Sequence, residues 1–319
     1  MKADTLSRST GERGRVLASL AVLTAGLLMF HRAVPNSVGH LGSLLESFLP
    51  WLGLVVVPLF GLALLRRSTI ALVALVLPVT AWAYLFGGLL MPLAEADTHD
   101  THDLLVVQHN VSDENADPAG TARTLADGEP DLIALQELVP DAVPLYEKAF
   151  APHYPYRAIR GTVGLWSRYP LTGVRSVDIK PSGIVAEWSR GLRAEVHTPQ
   201  GAFAAYVAHL PSVRLRASGL ASSWRDESAR LLAKAIAAEK LKSVILLGDL
   251  NGTVDDRGLT PLTSQLDVAE GGFAFTFPAA FPLGRIDQVM ARSATISHMH
   301  TLPATGSDHL PLGARFTMS

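Results

Sequence analysis

The stretch "VILLGDLNGT", residues 244–253, runs four apolar residues straight into a carboxylate and a carboxamide. An unbroken apolar run such as 244–247 reads as a strand covered on both faces, and such strands belong to layered α/β folds. Gly248 permits a close backbone approach or a bend where the strand ends. If the extended geometry persists, Asp249 and Asn251 point the same way, because side chains at i and i+2 share a face. Asp-x-Asn before Gly is equally ordinary turn chemistry, so this stretch alone leaves both readings open.

Outward from it, short apolar strand candidates recur at 104–108, 132–135, 164–166, 191–196, 202–208, 286–290 and 314–317. Helical patterns lie between some of them, at 121–127, 139–150 and the Ala-rich 222–241. Gly and Pro punctuate the rest, and "LRAEVHTPQGAFAAYVAHL", residues 192–210, has the look of a hairpin. The pattern predicts an α/β sandwich with mixed sheets, one domain spanning 103–319.

The strands share a peculiarity at their ends. "LLVVQHN" ends in Asn110, "DLIALQEL" reaches Glu137, and "AAYVAHL" reaches His209. "VILLGDLN" supplies Asp249 and Asn251, "GRIDQVM" supplies Asp287, and "GSDHLPL" places Asp308 and His309 before the last strand. Each has an ordinary alternative: Asn110 as a turn former, Glu137 as a helix-start acid, His209 as a hydrogen-bonded core histidine. Asp308-His309 after Gly306-Ser307 is a poor core pattern and a good reactive-loop one. Six polar strand ends, each useful for metal or phosphate chemistry, are hard to ascribe to turns, and in a sandwich they can converge on one rim.

The first third is different in kind. The 319-residue chain is 48% hydrophobic and 18% charged, with a mean hydropathy of +0.25, and the excess lies in apolar stretches at 16–34, 47–65 and 68–91. Each has, or nearly has, the ~20 residues that cross a bilayer, so residues 1–94 are expected to form a membrane domain of three transmembrane helices. His31 and Arg32 interrupt the end of the first stretch and must lie at an interface. A cleaved signal peptide is the competing reading of that stretch, and the two hydrophobic stretches that follow count against it.

Lys2, Arg8, Arg13 and Arg15 precede the first stretch, Arg66 and Arg67 separate the second from the third, and "AEADTHDTHD" follows the third. By the positive-inside rule the amino terminus is cytoplasmic and everything after about residue 94 is extracytoplasmic. The absence of cysteine is compatible with that location without requiring it. Seven of the 27 basic and three of the 29 acidic residues precede residue 94, leaving 20 and 26, a net charge of −6. Polyanion binding is driven by basic surfaces, so no nucleic-acid partner is expected.

In their order, Asn110, "QE", "HL", "GDLN", "RID" and "SDH" resemble the endonuclease/exonuclease/phosphatase superfamily, which includes DNase I-like nucleases, sphingomyelinases and inositol-polyphosphate phosphatases. "GLWSRYPL", residues 164–171, is similar to another stretch common in it. With three amino-terminal spans added, the chain resembles more narrowly the actinomycete glycopeptide-resistance membrane proteins of the VanJ type. The resemblance implies a four-layered α/β/β/α sandwich of DNase I-like type and metal-assisted phosphoester hydrolysis with Mg²⁺, or Mn²⁺ in its place. It implies Glu137 as first metal ligand with Asn110 and Asp308 near the metal, Asp249 as orienter or base for the attacking water, and Asn251 as donor to the phosphoryl oxygen. His309, held by Asp287, would polarise the phosphate or act as acid, and His209 would add a phosphate contact. Many relatives carry Thr where this chain has Ala208, and the glutamate that partners the histidine of "HL" in some of them has no evident counterpart.

An active site tethered to a bilayer meets lipid phosphates at raised effective concentration. The expected partners are therefore the bilayer and a membrane lipid phosphate such as undecaprenyl pyrophosphate, with no protein partner evident. Two rivals remain: a phosphodiesterase, either a sphingomyelinase-like lipase or a surface nuclease with a basic groove near Arg157, Arg160 and Arg168, and a non-catalytic lipid or glycopeptide binding module.

Overall fold

The computed structural model describes residues 2–90, 103–269 and 271–318, with backbone alone for 2–13. It divides into two compact units, Met1–Met91 and Pro92–Ser319. The acidic segment after the third apolar stretch, and with it the expected boundary near residue 94, falls outside the described residues.

The first unit is helical: α1 (Lys2–Met29), α2 (Leu41–Ser47), α3 (Val56–Leu65), α4 (Thr69–Ala74) and α5 (Val76–Leu90). Leu17, Ala21, Leu59, Ala63, Ala71 and Leu75 form its core, while Val16, Leu23, Phe60, Val73 and Tyr84 face outward and are exposed. α4 and α5 make up the 22-residue helix Thr69–Leu90, the one helix among the described residues long and apolar enough by itself to cross a membrane. The other two expected spans take other forms. The middle stretch contributes to a helix pair, Leu41–Ser47 and Leu49–Leu65, bent by 74°, and the first is the shorter apolar helix Gly14–Met29. The bend has a local cause: Pro50 opens the 3₁₀ turn Leu49–Val55, and proline cannot continue a helix from the preceding turn.

The second unit contains β1 (Asp103–Asn110), α6 (Pro118–Ala126), β2 (Leu132–Gln136), α7 (Val143–Phe150), β3 (Tyr156–Arg160), β4 (Val163–Ser167), β5 (Leu171–Ser176), β6 (Gly191–Thr198) and β7 (Gly201–His209). There follow β8 (Arg214–Arg216), β9 (Gly219–Ala221), α8 (Ser223–Ala237), β10 (Val244–Asp249), α9 (Thr260–Thr263), β11 (Asp267–Val268), β12 (Asp287–Arg292), β13 (Ala294–Thr301) and β14 (Leu312–Met318). One sheet has the order β13-β14-β1-β2-β4-β3, the other β11-β12-β10-β7-β6-β5, and β8 and β9 form a separate hairpin.

Period-two alternation explains the layers. In β10, Ile245 and Leu247 enter the core between the sheets, whereas Val244 and Leu246 pack with Ala229, Leu232 and Ile236 of α8. In β1, Leu104 and Val106 enter the inter-sheet core, and Val107 joins Leu125 of α6 and Tyr146 and Phe150 of α7. A strand between two apolar layers has no polar face to show, hence the unbroken run at 244–247. The result is two mixed sheets flanked by helices, the α/β sandwich expected. Extending the alternation places the site: Asn110, His209, Asp249 and Asp287 each continue the row that faces the opposite sheet, at one end of it.

Candidate active site

Two parallel pairs deliver the polar strand ends. In one sheet β10 pairs in parallel with β7 and antiparallel with β12, so Asp249 lies opposite His209 on one side and Asp287 on the other. Gly248 is needed for this closeness, since a Cβ there would lie 1.9 Å from the Ala208 carbonyl oxygen. In the other sheet β1 pairs in parallel with β2, setting Asn110 beside Gln136, with Glu137 next in the chain.

Glu137 should point to the helix side by alternation. Its backbone is left-handed, φ +60°, which turns the carboxylate out of the strand's pattern; non-glycine residues held this way concentrate at functional sites. Glu137 Oε2 accepts the Asp113 N–H at 3.2 Å, and Oε1 stands 3.6 Å from His209 Nε2.

Asn251 is left-handed too, φ +48°. The strand ends at Asp249, so it is a turn, rather than continued extended chain, that brings Asp249 and Asn251 together. The Asn251 N–H donates to Asp249 Oδ1 at 2.9 Å, and Asn251 Nδ2 donates to the Leu210 carbonyl at 2.9 Å and to Asp249 Oδ2 at 3.2 Å. Turn chemistry and site chemistry are here one device.

Asp249 is about 1% exposed. Burial, then the charge of Asp287, pushes its carboxyl up to about 7, against the N–H groups of Asn110 and Asn251 that favour the carboxylate. Asn110 crosses between the sheets to donate from Nδ2 to Asp249 Oδ2 at 3.0 Å, and its Oδ1 accepts the Ser112 N–H. Asn110 thus supports Asp249 directly, where the resemblance implied a place by the metal.

His309 Nδ1 meets Asp287 Oδ2 at 2.7 Å, and Gln108 Nε2 donates to the other Asp287 oxygen at 2.7 Å. Burial works against the imidazolium, but the charge and hydrogen bond of Asp287, with Asp249 and Asp308 adding to them, raise His309 to about 10. The same pairing holds Asp287 low against its burial. His309 Nε2 is left facing Asp249 Oδ2 at 3.9 Å. Ser307 fixes the loop, its hydroxyl donating to the Asn110 carbonyl at 2.7 Å and accepting the His309 N–H at 3.0 Å.

His209 is fully buried and neutral, driven down to about 3 by burial and by the charges of Arg190 and His309. Arg190 Nη1 approaches His209 Nδ1 at 3.4 Å. A guanidinium only donates, so Nδ1 accepts and Nε2 carries the proton. Nε2 has no hydrogen-bond partner among the described residues, lying 3.6 Å from Glu137 and 3.7 Å from Asp249. A buried donor without a partner is rare in a folded protein, and this N–H is free to donate to an acceptor such as a phosphoryl oxygen.

Asp308 is not brought into this cluster: its residue is exposed, its carbonyl accepts the Ala279 N–H at 2.7 Å, and its charge reaches His309. By distance, Asp249, Asp287 and His309 offer three ligand atoms within 4.8 Å of one another, an arrangement that could hold a metal ion. Two of them, however, are bonded to each other, and Asp287 spends its second oxygen on Gln108. Glu137 fits a hard cation better: an oxygen donor with a side chain 27% exposed, in a chain that has no cysteine to favour softer metals.

Three supporting residues escaped the sequence reading. Gln108 could have been found two positions before Asn110, on the same face. Arg190 and Arg225 carry no such signal, being set by tertiary contact. Arg225 is fully buried; Nη1 donates to the Asn251 carbonyl at 3.1 Å, Nε to Asp226 Oδ1 at 2.7 Å, and Nη2 to Asp256. Gly252 makes room for it, since a Cβ there would lie 1.9 Å from Arg225 Nη1. The arginines suspected of forming a basic groove are engaged locally instead, Arg157 with Glu147, Arg168 with Glu129, and Arg160 with the Ile159 carbonyl.

A model of the Endonuclease/Exonuclease/phosphatase family matches residues 107–309. Among solved structures, TDP2 of D. rerio complexed with a single-stranded DNA product is 21% identical, TM-score 0.56, over 67% of this chain and 98% of that one. Sphingomyelinase C from Streptomyces griseocarneus is 17% identical, TM-score 0.52, over 67% and 99%. An endonuclease/exonuclease/phosphatase from Beutenbergia cavernae is 18% identical, TM-score 0.56, over 68% and 72%. At these identities the likeness is one of fold. No curated protein matches the chain.

Proposed function

Because the chain belongs to the endonuclease/exonuclease/phosphatase family, we propose that it is a metal-dependent phosphoester hydrolase whose substrate is a membrane lipid phosphate, foremost undecaprenyl pyrophosphate. The observation that carries the chemistry is the convergence of Glu137 and Asp249 on one orphaned donor, His209 Nε2, with His309 Nε2 facing the same Asp249 oxygen. For the substrate, the support is the apolar amino-terminal unit with its outward Val16, Leu23, Phe60 and Val73, and the VanJ-type resemblance, which would link the activity to glycopeptide resistance. Three spans, a cytoplasmic amino terminus and an extracytoplasmic catalytic domain belong to the same proposal. Held at a bilayer, the site samples lipid phosphates at raised effective concentration.

Glu137 would hold the cation, Mg²⁺ or Mn²⁺, whose bound state neutralises phosphate charge and orients the ester. Asp249 accepts a proton from the water that attacks the terminal phosphorus, a role its raised proton affinity suits. His209 donates Nε2–H to a non-bridging oxygen, and Asn251 joins it by giving up its longer bond to Asp249. The bond from the terminal phosphorus to the bridging oxygen breaks. His309, protonated and steadied by Asp287, gives its Nε2 proton to that oxygen. The products are inorganic phosphate and the lipid monophosphate, which becomes available again as a carrier in wall synthesis.

The test is phosphate release from undecaprenyl pyrophosphate by the detergent-purified full chain with Mg²⁺, beside a DNA substrate and a sphingomyelin substrate. Release abolished by EDTA supports the proposal. Cleavage of DNA or sphingomyelin in its place keeps the hydrolase and replaces the substrate. Inactivity on all three returns the chain to the binding-module reading.

A further inference from the structure

Beside the catalytic cluster lies a cavity of about 450 Å³, lined in part by Trp188, Arg190, Pro211, Arg214, Arg216 and Trp224. It begins one side chain from the chemistry. Arg190 Nη1 reaches His209 Nδ1, and the Arg190 guanidinium lies 5.3 Å from the centre of the Trp188 ring. Pro211 follows Leu210, whose carbonyl is held by Asn251. The β8–β9 hairpin supplies Arg214 and Arg216, both exposed, and the first turn of α8 supplies Trp224, 53% exposed.

The lining is chemically mixed in a telling way. It brings three guanidiniums and two indoles together, and no carboxylate lines it. Guanidiniums bind phosphate oxygens through parallel N–H donors. Indole faces offer flat apolar area, and Trp188 already stacks on a guanidinium in the manner of a cation over a ring. A bare anion would leave the indoles unused, and a bare hydrocarbon would strip water from the arginines with nothing in return. The chemistry that satisfies both is a phosphate joined to an apolar chain.

We propose that this cavity is the leaving-group subsite, binding the phosphate that stays with the lipid and the first part of the apolar chain attached to it. The inference rests on the hydrolase reading above and sharpens it, because it makes the enzyme specific for diphosphates of an apolar alcohol. The terminal phosphate would sit at His209 and Asp249 while its neighbour rests on Arg190, Arg214 and Arg216. The cavity is of small-ligand size, so it takes the head of the substrate and leaves the long tail outside.

Geranyl monophosphate is a soluble stand-in for that head. Titrated calorimetrically into the detergent-purified full chain, it is expected to bind about tenfold or more tighter than either inorganic phosphate or geraniol. Arg214→Gln combined with Arg216→Gln, both at exposed positions, should weaken it by about tenfold while the melting temperature stays put. Trp224→Ala, likewise exposed, should weaken it separately. Binding no tighter than that of inorganic phosphate, or affinity unchanged in the arginine variant, overturns the subsite. Hydrolysis of undecaprenyl pyrophosphate, run in parallel, separates the two claims: turnover without geranyl phosphate binding overturns the subsite and keeps the activity, and binding without turnover overturns the activity and with it the leaving-group role, leaving only a lipid-phosphate site.

Discussion

The two sheets of the second unit are built alike and equipped differently. Each has a parallel central pair, β1 with β2 and β10 with β7, flanked by antiparallel neighbours. The β10 sheet ends in His209, Asp249 and Asp287, all at most 1% exposed. Sealed from water, these groups are set by one another: a carboxyl pushed up to about 7, an imidazole down to about 3, a carboxylate held low. The β1 sheet ends in Asn110, which reaches across to Asp249, and in Glu137, which keeps part of its side chain in water. Burial tunes proton affinity, and a solvent-facing oxygen receives a hydrated cation. On the proposed mechanism, the division of labour between proton handling and cation binding would follow from which sheet end is sealed.

Breaking the sealed half should cost most. Asp249→Ala is expected to lower phosphate release about 10³- to 10⁴-fold, the upper part of the range for removal of a positioned base. A loss of less than about tenfold would move the base elsewhere. The open half should respond differently. Glu137→Gln is expected to reduce release about 100-fold at limiting Mg²⁺ and to recover in part as Mg²⁺ is raised, because the defect lies in cation affinity. A Glu137→Gln defect indifferent to Mg²⁺, or an Asp249→Ala defect relieved by it, would erase the distinction between the sheets.

How far this could be read from sequence follows the same logic of cover. The eight strands expected from apolar runs are β1, β2, β4, β6, β7, β10, β12 and β14, which are the interior strands of the two sheets. The edges, β3, β5, β11 and β13, escaped. β5 is "LTGVRS" and β13 is "ATISHMHT", the latter with a register shift between Ile296 and His298. Edge strands need polar residues and irregularity to avoid pairing further, and those features hide them from an apolar count. The site residues were legible because each closes an interior strand or sits in "SDH". For Asn251 the sequence left continued extension and turn chemistry both open, and a left-handed turn sets its orientation. Arg190 and Arg225 were invisible, since each meets its partner only after the strands have paired.

Arg225 tests whether the turn itself matters. It touches the Asn251 backbone through one N–H and anchors the other ends of its guanidinium on Asp226 and Asp256. Arg225→Lys keeps the charge and loses the fork. The expected result is a fall in kcat of about tenfold, within the range that small misplacements near a site produce. KM should change little and Mg²⁺ dependence should stay as it was. A purely structural role would lower the melting temperature without that kcat-specific loss.

The smallest effect is on stability against pH, measured without metal in EDTA by the thermal transition of tryptophan fluorescence, Trp166 lying buried in the second unit. His109 and His209 are held neutral to about 3, mainly by burial. Between about 3 and their ordinary 6.5 the unfolded chain therefore binds two more protons there than the folded one, and stability rises with pH. Asp249, raised to about 7 by burial and Asp287, works the other way from about 4 upward and cancels one of the two. His309, at about 10, adds stability that is complete below 6.5 and is lost as the pH climbs through 10. The net is a slope of one proton, ~1.4 kcal/mol per pH unit, rising to a maximum near 6.5 and turning downward beyond it. His209→Gln removes one acid-limb contributor and should flatten the rise, while His309→Gln should flatten the alkaline fall. If both substitutions moved the same limb, the sealed half would not be the set of mutually tuned groups that separates it from Glu137.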